Sequence, residues 1–165
     1  LEPYKHIFPA ELDRRMAAKL GYAQASDGTR ALVGELLKLM TRERTDWTIF
    51  WRRLAHHAAG ASADTVRELF LDRAAIDRVL LQYNELPALV GRAPEADLML
   101  KSSPAIVLRN HLAEQAIALA KQKDFRMVQD LLAVLEHPYD EHPDHADWAG
   151  FPPDWASHIQ ISCSS

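Results

Sequence analysis

A single cysteine, Cys163, leaves this sequence no internal disulfide to form, which suits a reducing compartment or a thiol partner elsewhere. Apolar runs stop at a few residues, as in Ala31-Leu32-Val33 and Ala133-Val134-Leu135, far from the roughly 20 that a membrane-spanning helix needs. No membrane partner is expected. The six glycines stand singly, so no glycine-rich loop gathers the N–H groups that cradle a phosphate. There is no His-Glu-x-x-His, no cysteine pair, and no Ser or Cys beside an evident base. Lys and Arg are missing beyond Arg126: that stretch holds none of the 19 basic residues and seven of the 23 acidic ones. No initiator Met or basic leader opens the chain, so Leu1 reads as an internal residue of something longer.

What is present is ordinary for a globular domain: 165 residues, 48% hydrophobic and 25% charged. Helical periodicity dominates. Pro9 in a first turn, then Leu12, Met16 and Leu20 before Gly21, predicts a short first helix. Asp27 predicts the cap of a second, with Leu32, Leu36 and Leu39 on one face; Thr45 or Asp46 opens a third through Trp47, Phe50, Trp51 and Leu54. Segments from Ser62 or Asp64 and from Ile76 follow, the latter ended or kinked by Pro87, then a short one over 95–100. Ser103 as cap and Pro104 as first residue predict the longest-looking helix, to about Gln122, and Asp124 opens the last, stopped by Pro138. Beyond it, Ile159-Gln160-Ile161 is at most a minimal strand. The expected fold is all-α, about seven helices in an irregular bundle, with an extended acidic C-terminal tail. By composition the chain divides into a helical 1–137 and an irregular 138–165.

On the helix predicted from Pro104, Arg109 shares the apolar side with Ile106, Ala113 and Ala116, and a guanidinium belongs there only if paired. A structural buried charge is therefore favoured over a role in binding substrate. Arg42, Arg44, Arg52 and Arg53 interleave with Trp47, Phe50 and Trp51 like a stacking platform for nucleic acid. Helical geometry instead turns the aromatics inward and the arginines elsewhere, and the net charge of −4 lacks a basic footprint, so no nucleic-acid partner is expected. His137, His142 and His145 sit among acids, but their spacing fits no single helical face, so no metal site is assigned.

Met16-x-x-Lys19-Leu20-Gly21, Thr45-Asp46-Trp47-Thr48-Ile49-Phe50-Trp51-Arg52-x-Leu54, Pro104-x-x-Val107-Leu108-Arg109-Asn110, Asp124-Phe125 with Leu131-Leu132 and Pro138-Tyr139, Pro152-Pro153-x-Trp155 and Ser162-Cys163-Ser164-Ser165 follow one another in order. Together they resemble the C-terminal region of the selenoprotein O family. The resemblance implies a kinase-like protein adenylyltransferase that transfers AMP from ATP, with Mg²⁺, to Ser, Thr or Tyr hydroxyls of proteins. In that family the ATP and Mg²⁺ site lies upstream, so the resemblance puts no catalytic or cofactor-binding residue in this chain and predicts that the chain alone is inactive. It makes 1–137 the helical C-terminal region of a kinase-like protein, with the upstream region of the same polypeptide and protein substrates as partners. It implies a cytoplasmic location in bacteria and a mitochondrial one in eukaryotes. Cys163 occupies the position that is selenocysteine in some members, which suggests a redox-responsive thiol paired with an upstream cysteine. Ser103-Pro104 stands where the family commonly has Asn-Pro, and Lys123-Asp124 where it often has Gly-Asp. The competing reading is a stand-alone helical interaction module binding a peptide or protein partner between helix pairs.

Overall fold

The structure, a computed structural model, describes the backbone of residues 2–159 and the side chains of residues 5 and 7–159. Among these residues the regular elements are all helical and there is no strand, so the chain is all-α. Two compact units divide after Pro104. The sequence boundary at 137/138 marks where helical periodicity gives way to a proline-rich irregular stretch, whereas this one marks a change of core.

The first unit holds α1 (Glu2–Lys19), α2 (Asp27–Glu43), α3 (Trp47–Ala58), the single turn α4 (Asp64–Arg67), α5 (Arg73–Val90) and α6 (Ala96–Ser102). Local side-chain chemistry sets several of these starts. Ser26 and Thr29 form a reciprocal capping box, the Thr29 N–H donating to Ser26 Oγ at 3.2 Å and the Ser26 N–H to Thr29 Oγ1 at 2.8 Å, so the cap falls one residue before Asp27. Asp46 accepts from the Ile49 N–H at 2.9 Å and Asp72 from the Ala75 N–H at 2.9 Å, which starts α3 and α5. Two prolines depart from expectation. Helix α1 already runs before Pro9 rather than starting at it, and α5 continues through Pro87 to Val90 before Gly91 closes it in the left-handed region.

The core of this unit comes from the predicted stripes: Leu32, Leu36 and Leu39 of α2, Phe50, Trp51 and Leu54 of α3, and Ile76, Leu80 and Tyr83 of α5, with Phe70 from the loop before α5. Phe50 stands edge-on to Trp51 at 5.0 Å and to Phe70 at 5.7 Å, contacts worth about 1 kcal/mol each beyond the area they bury. Gly21 lets the end of α1 touch the start of α6. Its φ is +89°, a Cβ there would lie 2.7 Å from Pro94 Cβ, and its carbonyl accepts from the Glu95 N–H at 2.9 Å.

The second unit holds α7 (Asn110–Lys121), α8 (Arg126–Glu136) and 3-10 turns at Pro143–Ala149 and Asp154–His158. The acidic tail is thus partly ordered into turns rather than extended. Its Trp148 packs against both small cores, Ala105 with Ile106 and Val134, and Leu112 with Ala116 and Leu131. Helix α7 is shorter than predicted: its first residue is Asn110, and 103–109 is not helical. The cause is tertiary. The N–H groups of Ala105 and Ile106 donate to the Pro138 carbonyl at 2.7 and 3.4 Å while their side chains fill the core with Val134, contacts that pin 105–106 as a non-helical segment. Gln160 and Ile161, two of the three residues of the suggested minimal strand, lie outside the described residues.

Candidate functional site

The start of α7 and the last 3-10 turn enclose an open hollow of about 700 Å³ in the second unit. Its walls include Leu108, Arg109, Asn110 and His111 on one side and Pro152, Pro153, Asp154 and Ser157 on the other. Two motifs far apart in the sequence, Leu108-Arg109-Asn110 and Pro152-Pro153-x-Trp155, therefore meet. Arg109 is not the core cation that the helix from Pro104 implied. With the helix starting at Asn110, Arg109 becomes its N-cap, in extended conformation (φ −87°, ψ 149°) and half-buried. The buried polar residue is His111, 7% exposed, with its ring edge-on to Trp155 at 6.1 Å. Burial, helped by the Arg109 charge, holds its imidazole below the usual histidine range, so it is neutral at neutral pH. Ser157 Oγ donates to the Asp154 carbonyl at 2.7 Å inside its own turn, so its hydroxyl is not paired with a base. The hollow offers polar contacts without a nucleophile activated in the manner of acyl transfer.

The buried cation is instead Arg52 of the first unit, which the sequence pattern had turned away from the core, and with the half-buried Lys19 it lies around the end of α6. Arg52, 8% exposed, donates Nη1 to the carbonyls of Leu100 at 3.2 Å and Ser103 at 3.0 Å. Lys19 donates Nζ to the Ser102 carbonyl at 2.7 Å and lies 5.8 Å from the centre of the Trp51 ring. Burial pushes the Lys19 amine down to about 8. Both side chains serve backbone oxygens that a helix end leaves unsatisfied, the ordinary role of a basic residue at a C-terminus. Ser103, fully buried, ends α6 instead of capping α7. One signal for Arg52 was readable: Ile49 and Ala55 sit three residues to either side, and α3 is buried on that face as well as on its aromatic one.

The other candidates resolve into ordinary contacts. Trp47 is 46% exposed, so the aromatic stripe is not wholly inward, and Arg52 is not outward. Arg42 pairs with Asp72 at 2.8 Å, and Arg53 donates to the Thr65 carbonyl at 2.6 Å. His145 stacks on Trp148 at 4.1 Å and His142 Nε2 lies 2.9 Å from the His137 carbonyl. Among the described residues no three His, Cys, Asp or Glu side chains form a group that could hold a metal ion. Cys163 lies outside the described residues.

Among the described residues no glycines cluster into a phosphate cradle: the amides of Gly21, Gly60, Gly91 and Gly150 donate to Ala18, His57, Pro87 and Asp147 at helix ends or turns, and Gly28 and Gly34 lie singly within α2. No helix among the described residues is long and apolar enough to cross a membrane.

The model of the family described as protein adenylyltransferase SelO matches residues 1–136. Curated relatives named protein nucleotidyltransferase YdiU match too. The one from Variovorax paradoxus is 58% identical over all of this chain and 33% of its own length, and that from Albidiferax ferrireducens 54% identical over all of this chain and 34% of its own. The one from Paraburkholderia xenovorans is 46% identical over 98% of this chain and 32% of its own length. The chain spans about a third of the length of the curated relatives it matches.

Proposed function

The chain belongs to the protein adenylyltransferase SelO family, and from that we propose that it is the C-terminal helical part of an enzyme transferring AMP from ATP to Ser, Thr or Tyr hydroxyls of other proteins. On this reading the chain supplies scaffold, with Cys163 as a redox-responsive thiol, while a kinase-like region of the same polypeptide binds ATP and Mg²⁺. A cytoplasmic location in a bacterium goes with it. One observation supports the proposal: in a chain matching a third of a nucleotidyltransferase the glycines stand singly, at helix ends, in turns or within α2, and on this reading nucleotide chemistry belongs to the other two thirds.

The test is calorimetric titration of Mg-ATP into this chain alone and into a polypeptide of the relatives' full length. Heat is expected only from the latter, together with transfer of a labelled adenylyl group to protein. Nucleotide binding by the chain alone would overturn the assignment. In the full-length polypeptide, Cys163→Ser is expected to abolish sensitivity of transfer to oxidant and to leave thermal stability unchanged. Oxidant sensitivity retained in that variant would remove the redox role.

A further inference from the structure

An apolar groove of about 370 Å³ runs between α1 and α2 in the first unit. Met16 and Ala17 floor it, and Leu12, Val33, Leu37 and Trp47 are among its walls. Leu12 and Trp47 remain 47% and 46% exposed, and Phe8, one helical turn before Leu12, is 51% exposed. Single exposed apolar side chains are common on any surface, and Leu71 and Leu89 are of that kind. A walled groove is different, because several apolar side chains face one strip of solvent.

Charge at the rim is already balanced. Arg30 pairs with Asp13 at 2.6 Å and with Asp27 at 3.0 Å, and Glu11 pairs with Arg14 and Arg15, each at 2.7 Å. A nucleic acid or an acidic membrane would find no excess of cations there. A small-molecule site would need convergent polar groups that fix orientation, and the groove walls are mostly aliphatic. What fits is a ridge of apolar side chains from another stretch of protein. The relatives are about three times as long as this chain, so a polypeptide of their length has ample further chain to provide such a ridge.

We propose that the α1–α2 groove is the seat of an apolar segment from the part of the full-length polypeptide lying outside this chain. The proposal rests on the reading of the chain as one part of a longer enzyme, and it adds the surface through which that part is joined.

Hydroxyl-radical footprinting of a polypeptide of the relatives' length tests it, each residue's labelling rate being divided by its rate in the denatured protein. Leu12 and Trp47 are expected to be protected several-fold more than Leu71 and Leu89. Leu12→Glu, at a position 47% exposed in the first unit, is expected to restore labelling of Trp47 while Leu71 and Leu89 keep their rates. Equal protection of all four residues overturns the proposal. Protection that disappears on dilution of a dimer to monomer overturns it too, by assigning the groove to a second copy. Adenylyl transfer assayed on the same sample separates the two claims: transfer with an open groove sinks only the seat, and a covered groove without transfer sinks only the enzymatic reading.

Discussion

Arg52 holds the carbonyls of Leu100 and Ser103 from a position 8% exposed, so truncating it removes two charge-assisted hydrogen bonds and leaves Leu100 only the Ser103 N–H at 3.4 Å. Hydrogen bonds from a charged donor in such a place make Arg52→Ala cost about 2–3 kcal/mol, whereas Arg109→Ala, at a half-buried helix cap, costs about 1 kcal/mol or less. Urea midpoints of the two variants compared with the parent chain check the order. The reverse order had a clear origin in the sequence: Arg109 lands on an apolar face only if the helix is extended back to Pro104, and the Pro138 carbonyl that claims the N–H groups of Ala105 and Ile106 lies more than thirty residues away. Lys19 makes a second case. Its folded amine titrates near 8 against an ordinary 10.5, so between those values the unfolded chain binds a proton that the folded chain has released. Stability therefore rises with pH across that window, and the penalty is in full force below it. Urea midpoints measured at about pH 7.5 and about pH 9.5 should show the rise, and Lys19→Met should flatten it. Burial raises the phenols of Tyr22 and Tyr83, so above about pH 9 their unfolded forms start to ionise first and oppose the rise slightly, a background that the Lys19→Met variant shares and so subtracts.

Element boundaries were legible at Asp46 and Asp124, while the cap of α2 was read one residue late and the Asp72 cap of α5 was missed. Asp46 and Asp72 accept from the N–H three residues on, and Asp124 accepts the Arg126 N–H at 3.1 Å to open α8. They were illegible where distant packing decides, as at 103–109, and where a proline is absorbed, as in α1 and α5. The turn between α7 and α8 explains one departure from the family pattern. Lys123 has φ +65°, the left-handed region in which the glycine often found there is at ease. Lys123→Gly is expected to stabilise the second unit by about 1 kcal/mol, since a side chain pays roughly that for the conformation. Gly21→Ala should do the opposite. Its φ of +89° and the 2.7 Å approach to Pro94 predict a loss of about 2–3 kcal/mol, because the obstructing atoms belong to the stiff Pro94-Glu95 segment. Thermal unfolding of the pair checks both signs.

At the scale of the molecule, helical periodicity carried the all-α class, because it depends on local pattern. Membership of the family was legible only through resemblance, since two thirds of the relatives' length lies outside this chain. The hollow at α7 was invisible for a related reason: the residues that wall it come from two segments separated by some forty positions, and nothing in either segment announces the other. The two cations at the end of α6 bear on how the first unit assembles. A seven-residue helix has too few internal bonds to persist in water, and its last carbonyls are completed by side chains 48 to 83 residues away. That closing turn therefore cannot mature until α1 and α3 have docked. Its order comes from tertiary contacts made by α1 and α3 and not from the short helix itself.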